Sequence, residues 1–267
     1  MLIKNPRKAR RPGDYDYIYV PCGKCEACVT NKISNWYVRL KTHLKYSDYA
    51  AFVTLTYADE YLPQGSNVSK KDVQEYHYRL RKRLGSKASK QVKYYLVSEY
   101  GPSGGRPHYH CIYFGLRPIQ WSDVTLAWSK GFTKIEPVTD RRLKYVCGYV
   151  IEKNFVPEGR EPVFTLISKG LGKDYVTEYK DWHDRLDRVY VPLDGKKMPM
   201  PRYFKERLYS SGQRQLWSDQ CEERGRREYD DLVDKLGSVE AVEQRLYDVR
   251  ANYARKMAER RKKRKTF

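Results

Sequence analysis

Two of the chain's five histidines, His108 and His110, lie on either side of one tyrosine in the segment GGRPHYHCIYFG, residues 104–115. The residue types after the glycines predict a β-strand. Alternate side chains of a strand share a face, so the two imidazoles would point the same way, with Cα atoms roughly 6.5–7 Å apart. That spacing can hold one ion between them. Two polar residues on the solvated face of a strand would show the same pattern, so the surrounding residues have to decide.

A carboxylate is predicted to lie beside the two histidines. Glu99 ends another predicted strand, VKYYLVSE, and the glycine-rich segment YGPSGGRP between the two strands is typical of a hairpin turn. The hairpin would bring Glu99 next to His108 and His110. Two imidazoles and one carboxylate suit a divalent metal with open positions for phosphate oxygens and water, and the residue types alone are compatible with Zn, Mn or Mg.

A pair of tyrosines follows in KYVCGYVIEK, within a predicted helix over residues 139–154. Tyr145 and Tyr149 are spaced i and i+4, so both phenols would lie on one helix face, about 6 Å apart along the axis. The chain has 25 tyrosines, and packing or base stacking would explain any one pair. Beside a metal-bound phosphate, however, a phenol can act as a nucleophile, which yields a phosphotyrosine linkage and a 3′-hydroxyl.

Three of the six cysteines are clustered in PCGKCEAC, as Cys22, Cys25 and Cys28. This is not the scattered pattern of a small disulfide-bonded domain, and reduced thiols fit it better. Three thiolates in one loop predict a structural zinc site, which needs a fourth ligand. His43, Cys111, Cys147 and Cys221 are candidates between which the spacing does not choose. The alternative is a turn whose cysteines are small buried side chains.

The net charge indicates the class of partner. With 53 Lys and Arg against 33 Asp and Glu, the chain carries +20, which favours a polyanion and above all nucleic acid. A membrane surface is the rival polyanion. No run approaches the ~18 apolar residues of a transmembrane helix, and the first residues lack the apolar core of a signal peptide, so we expect a soluble intracellular protein without a membrane partner.

The periodicities predict an α+β fold. Strands at 50–57, 92–99, 108–115 and 132–138 alternate with helices, one beginning at Ser69 with Asp72 as an N-terminal cap and one at 122–131, in the order β-α-β-β-α-β. One helix precedes this unit, over residues 31–47, and one follows it. The order is that of a ferredoxin-like antiparallel sheet with helices on one face, which would leave the face with the histidines open.

Three regions are expected along the chain. Residues 1–29 form a basic arm with the cysteine cluster, residues 30–210 form the main domain, and residues 211–267 form a helical extension with a basic tail. Within the extension, apolar residues at helical spacing predict one helix over residues 221–253. The last thirteen residues carry eight bases and one acid, which favours a frayed tail that touches phosphate, although a solvated helix end would look the same.

The segments FVTLTY, GRPHYH and YVCGYVIEK, in that order, resemble the three motifs of the HUH endonucleases that start rolling-circle replication. Together with PCGKCEAC, SEYGPSGGRPHYHCIYFG, SKGLG and MPRYF, they resemble the replication initiators of gokushovirus-type phages of the Microviridae. The resemblance covers roughly residues 20–210. It implies an HUH fold and an enzyme that nicks and rejoins single-stranded DNA at a replication origin through a 5′-phosphotyrosine intermediate.

The resemblance also implies roles for particular residues. His108, His110 and Glu99 would bind Mg or Mn, and Tyr145 and Tyr149 would be the nucleophiles. Lys153 stands one residue later than the lysine of the commonest motif, and it would contact phosphate or tyrosine unless it is only a solvated charge at a helix end. Thr54 and Thr56 would contact DNA, although threonines are also ordinary in half-buried strands.

The resemblance places the protein in the cytoplasm of a bacterial host, where the host replication machinery would extend the released 3′-hydroxyl. The rival hypothesis is a non-catalytic module that binds single-stranded nucleic acid through a basic sheet with exposed aromatic side chains. Stacking needs neither Glu99 and the two histidines nor the spaced tyrosines, and their coincidence therefore favours the enzyme.

Overall fold

The computed structural model describes residues 2–4, 17–19, 22–23, 25–101, 105–149, 156–185 and 188–265. Its contacts divide the chain into two compact units. One combines Met1–Asn31 with Tyr209–Phe267, and the other is Lys32–Leu208. The second unit contains the predicted strands and the residues of the candidate site.

The strands form three antiparallel sheets. A five-stranded sheet has the order β6-β3-β5-β4-β7, and two-stranded sheets are formed by β1 with β2 and by β8 with β9. The strands are β1 (Leu2–Lys4), β2 (Tyr17–Tyr19), β3 (Ala50–Tyr57), β4 (Lys93–Tyr100), β5 (Pro107–Phe114), β6 (Gly131–Pro137), β7 (Thr165–Ile167), β8 (Tyr190–Leu193) and β9 (Lys196–Pro199).

Eight α-helices accompany them in the described parts of the chain. They are α1 (Glu26–Lys45), α2 (Lys70–Gln91), α3 (Trp121–Ala127), α4 (Asp140–Tyr149), α5 (Lys173–Asp184), α6 (Arg202–Leu208), α7 (Ser211–Leu236) and α8 (Val239–Lys265). As predicted, Ser69 caps α2, since its side chain accepts a hydrogen bond from the backbone N–H of Asp72. In this part of the chain, none of the helices combines the length and the apolar character needed to span a membrane.

The predicted α+β fold is confirmed. The elements β3, α2, β4, β5, α3 and β6 follow the predicted β-α-β-β-α-β order, and their strands pair antiparallel in the central sheet. The short strand β7, which pairs with β4, was not predicted, because three half-buried residues leave too little periodicity to recognise.

Helices pack on both faces of the central sheet, so the expectation of helices on one face only was wrong. On one face, side chains such as Tyr109 and Tyr113 join a core with residues of α2 and α3. On the other, Ile112 and Phe114 join a second core with residues of α1 and α4. The physical reason is that β5 is buried on both sides, so both of its faces need an apolar partner.

The helical extension is two helices rather than the one predicted over residues 221–253. α7 ends at Gly237, which adopts φ +81° and donates its backbone N–H to the carbonyl of Val233. Glycine reaches this left-handed conformation at low cost and is the usual residue after a helix end. The basic C-terminal residues continue α8 as far as Lys265 and do not form the frayed tail that was expected up to that point.

Gly131 permits the close approach of β6 to β3. Its φ is +152°, and a Cβ at this position would lie 2.3 Å from the carbonyl oxygen of Thr56 and 2.4 Å from the nitrogen of Ala58. Both atoms belong to backbone that pairs with its neighbours. The beginning of the edge strand is therefore compatible only with glycine.

We expect Gly131→Ala to lower the free energy of unfolding by at least about 2 kcal/mol, because the methyl group must displace backbone. Urea denaturation followed by circular dichroism measures the change. The control is Gly225→Ala in α7, where nothing lies within 4 Å of an added Cβ and alanine should stabilise the helix by about 0.5–1 kcal/mol. Equal stability of the two variants would contradict the assignment.

Candidate functional site

The site is built by the register of three neighbouring strands. Glu99 of β4 lies directly opposite His108 of β5, and His108 lies opposite Thr56 of β3. The next residue on the same face of β5, His110, lies opposite Thr54. Because side chains alternate along a strand, the carboxylate, the two imidazoles and the two threonines share one face of the sheet.

The three predicted metal ligands converge. Oε2 of Glu99 lies 3.3 Å from Nε2 of His108 and 3.2 Å from Nε2 of His110. The candidate ligand atoms of these residues all lie within 4.8 Å of one another. Glu99 and His110 are buried and His108 is half-buried, so one side of the group remains accessible. Two imidazole nitrogens and a carboxylate oxygen at this spacing form a donor set that fits a divalent cation.

Hydrogen bonds on the far side of each imidazole orient this group. Nδ1 of His108 lies 3.1 Å from the carbonyl oxygen of Arg106, to which it can donate only as N–H. Nδ1 of His110 lies 3.1 Å from the hydroxyl of Thr54. Such contacts leave Nε2 as the atom directed at a metal, an arrangement typical of histidine ligands in proteins. Sequence reasoning treated Thr54 only as a DNA contact and missed this role.

The charges of the group support one another. Burial opposes ionisation of Glu99, but hydrogen bonds from His108 and His110 outweigh it and lower the pKa of the carboxyl to about 2. Burial also disfavours the charged form of His108, yet the carboxylate of Glu99 outweighs it and raises the pKa of that imidazole. For the more deeply buried His110, desolvation dominates and lowers the pKa. Glu99 is therefore ionised at neutral pH and available as an anionic ligand.

Tyr145 lies over this group. Its hydroxyl is 3.5 Å from Oε2 of Glu99, and its ring packs edge-on against the ring of His110, with centroids 5.2 Å apart. The side chain is 40% exposed. A phenol that touches the candidate metal ligands and still reaches solvent is accessible to a bound substrate.

Two polar contacts fix the helix that carries Tyr145. At its first residue, Asp140 accepts hydrogen bonds from the hydroxyl of Tyr37, at 2.6 Å, and from Nζ of Lys41, at 3.0 Å, both on α1. Two residues later, Arg142 forms an ion pair of 2.5 Å with Glu136 on β6. These contacts tie α4 to both a helix and the sheet edge. Asp140 was not predicted from the sequence, because its partners lie about a hundred residues away along the chain.

The other predicted site residues are placed as follows. Thr56 is half-buried on the same face and donates a hydrogen bond to the carbonyl oxygen of Phe132. Tyr149 is the last described residue of α4, but its side chain lies outside the described part of the structure, and so does the whole of Lys153.

The cysteine cluster lies at the beginning of α1, in the other unit. Sγ of Cys22 is 3.9 Å from Sγ of Cys28, and the backbone N–H of Cys25 donates to Sγ of Cys22 at 3.2 Å. All three sulfurs lie within 4.8 Å of one another, and among the described residues no fourth histidine, cysteine or carboxylate completes this group. Two of the candidate fourth ligands, Cys111 and Cys147, are buried in the two cores of the sheet.

Comparison with known proteins identifies the region that holds the site. Residues 50–154 match a family model whose description is replication-associated protein ORF2. The matched range includes Glu99, His108, His110 and Tyr145, and also Tyr149 and Lys153.

Three proteins of phages are similar to the chain over most of its length. Replication-associated protein ORF2 of Spiroplasma virus 4 is 29% identical over 232 residues, which cover 77% of this chain and 72% of the relative. Replication-associated protein VP4 of Bdellovibrio phage phiMH2K is 27% identical and covers 84% and 74%. Replication-associated protein ORF4 of Chlamydia phage 1 is 27% identical over 71% of this chain, and the match spans about half, 53%, of that relative.

No solved structure matches the chain. The family match and the three relatives confirm the resemblance predicted from the sequence motifs: over residues 50–154 the chain matches the family of replication-associated ORF2 proteins, and it is similar to the replication-associated proteins of microvirus phages.

Proposed function

We propose that the protein is an HUH-type endonuclease and strand transferase that nicks single-stranded DNA at a replication origin, rejoins it, and thereby initiates rolling-circle replication of a phage. The observation that carries this proposal is the position of Tyr145, whose hydroxyl lies 3.5 Å from Glu99 in the group formed with His108 and His110. A phenol beside a divalent-cation donor set is what transfer of a phosphodiester to tyrosine requires.

The donor set suggests Mg or Mn as the ion. Glu99, His108 and His110 would hold the cation, which supplies charge neutralisation and polarisation of the scissile phosphate. The protein prepares this chemistry by directing both Nε2 atoms inward through the contacts of Nδ1 with Thr54 and with the carbonyl of Arg106.

In the nicking step, the phenolic oxygen of Tyr145 attacks the phosphorus. A bond between that oxygen and phosphorus forms, and the bond from phosphorus to the 3′-oxygen breaks. The proton lost by the phenol is balanced by the proton gained by the departing 3′-oxygen. The 5′ end stays on the enzyme as a phosphotyrosine, and the 3′-hydroxyl becomes a primer for the host replication machinery.

The second tyrosine on the helix gives the reaction a second half. Tyr149 follows Tyr145 by four residues in α4, a spacing that brings both positions to one helix face. After one round of synthesis it would attack the regenerated origin. The released 3′-hydroxyl then attacks the first phosphotyrosine, which restores the phenol and closes the circle. Lys153 would contact the phosphate or the tyrosine.

Binding and location follow from the same proposal. The charge of +20 supplies sequence-independent attraction to the phosphates of the strand. Replication of a phage genome places the protein in the cytoplasm of its bacterial host. A module that only binds single strands would share the basic charge, but it would not need the convergent carboxylate and imidazoles.

We also propose a structural zinc ion at Cys22, Cys25 and Cys28. Tetrahedral zinc with bonds of about 2.3 Å to sulfur separates its ligands by roughly 3.8 Å, close to the 3.9 Å between Cys22 and Cys28. In an iron–sulfur cubane each cysteine binds a different iron, which holds the sulfurs further apart. The N–H of Cys25 stabilises a thiolate at Cys22, and Gly23, at φ +72°, permits the turn between them.

The double variant His108→Ala, His110→Ala should lose more than about 100-fold of its origin-cleavage rate, because the cation loses two of its three ligands. Its affinity for single-stranded DNA should stay within about twofold, since the basic surface dominates binding. Cleavage of a labelled oligonucleotide and calorimetric titration with Mn²⁺ measure the two effects. Full cleavage by a correctly folded double variant would rule out the site.

Tyr145→Phe removes the attacking oxygen but keeps the ring against His110. Together with Tyr149→Phe it should abolish the SDS-resistant adduct with single-stranded DNA, whereas a single variant can retain an adduct through the remaining tyrosine. The control is Tyr78→Phe, which changes a 58% exposed tyrosine on α2 and should leave the adduct unchanged. Mapping of the adduct to a third tyrosine would overturn the assignment.

Protein purified without added zinc should contain about one tightly held zinc ion per chain. Cys25→Ser should remove it, and Cys221→Ser, which changes an exposed cysteine on α7, should not. Metal analysis by mass spectrometry decides this. An absence of zinc, with Cys22, Cys25 and Cys28 alkylated in the native protein as fast as Cys221, would favour a plain turn.

A further inference from the structure

The face of the sheet that carries the metal ligands has an open strip at one edge. We use "open strip" for Thr54 and Thr56 on β3 together with Phe132 and Lys134 on β6. Phe132 is 71% exposed, and the side chain of Lys134 is 72% exposed. The two threonines are half-buried. The strip therefore presents an aromatic ring, a cation and two hydroxyl groups to solvent on the edge strand and its neighbour.

The strip is continuous with the candidate metal centre. Phe132 is the register partner of Thr56, and Thr56 is the partner of His108, so the three form one row across the sheet. Neighbouring strands lie about 4.8 Å apart, which places the backbone of Phe132 roughly 10 Å from that of His108. Lys134, Thr54 and His110 form the next row. A strand with one phosphate at the metal centre would thus pass over or beside these side chains.

An exposed phenylalanine by itself is common on protein surfaces and needs no explanation. Here, however, the backbone that carries the ring is held firmly. The carbonyl oxygen of Phe132 accepts a hydrogen bond from Thr56, and the preceding Gly131 lies so close to β3 that no Cβ would fit. A ring on rigid backbone loses little conformational freedom when it binds a flat partner.

The chemistry of the strip points to one kind of occupant. An apolar protein partner would be expected to meet a larger apolar patch, whereas the neighbours of Phe132 on this face are a threonine and, two residues along the strand, a lysine. Lys134 forms an ion pair of 3.4 Å with Glu136, but both its exposure and the competing Arg142 make that pair weak and exchangeable. Aromatic rings interleaved with cations suit single-stranded DNA, whose bases have exposed faces.

We propose that Phe132 stacks on a base of single-stranded DNA next to the phosphate held at the metal centre, and that Lys134 pairs with a neighbouring phosphate. This inference rests on the proposed function for the nature of the strand, but it concerns recognition and not cleavage. Phe132 and Lys134 take no part in the chemical step.

The test is binding of a fluorescent single-stranded oligonucleotide of mixed sequence to the full chain, measured by anisotropy in EDTA so that no cleavage occurs. Phe132→Ala should weaken binding by roughly 10-fold, in line with the loss of one stacked base. Phe132→Trp should restore it. A strand of the same length with abasic sites in place of bases should be bound equally by the wild-type protein and by Phe132→Ala, because nothing remains to stack.

Two further variants separate stacking from charge and from general surface effects. Lys134→Ala should weaken binding to the normal and the abasic strand alike, and it should reduce the slope of log affinity against log salt by about 0.7. Leu126→Ala, which removes a 60% exposed side chain on α3, should change neither. Unchanged affinity of Phe132→Ala, or an equal loss on the abasic strand, would overturn the inference even if His108 and His110 prove necessary for cleavage.

Discussion

The pairing register of β4 with β5 is the constraint on which the candidate site depends. It sets Glu99 opposite His108, and a slip of one residue would turn the carboxylate to the face away from both imidazoles. Apolar patterning cannot hold this register by itself, because β5 is buried on both faces. Specific polar contacts must do so, and the tyrosine between the histidines supplies them. The hydroxyl of Tyr109 lies 2.9 Å from that of Tyr57 and accepts a hydrogen bond from the backbone of Ser69.

The two faces of the sheet divide the work between stability and chemistry. On the face of Tyr109, the aromatic rings of Tyr57 and Trp128 pack together with the residues of α2 and α3. On the opposite face, α1 and α4 cover Ile112 and Phe114, while the histidines, Tyr145 and the strip along β3 and β6 remain accessible. Asp140 and Arg142 hold α4 where this covered region meets the accessible one. The position of the helix therefore fixes the position of Tyr145.

Local signals were sufficient to predict much of this arrangement. Period-two patterns gave the four strands of the β-α-β-β-α-β unit within one residue, and the hairpin between β4 and β5 gave the meeting of Glu99 with the histidines. The burial of both sheet faces was missed because it depends on how α1 and α4 pack, and short sequence windows carry no record of packing. The contacts of Asp140 with α1 escaped prediction for the same reason. The Gly237 break was written in the sequence and was overlooked between two helical patterns.

The hydrogen bonds of Tyr109 have a consequence for the order of folding. They join β5 to residues 40 and 52 positions earlier in the chain, so the face on which His108 and His110 meet Glu99 is settled only when β3, β5 and the beginning of α2 have assembled. Contacts of such separation form late and cooperatively, since a long loop must close first. The three cysteines, by contrast, fall within seven residues and come together through a single turn. One group of candidate ligands thus reports on the completed tertiary structure, whereas the other needs only local chain conformation.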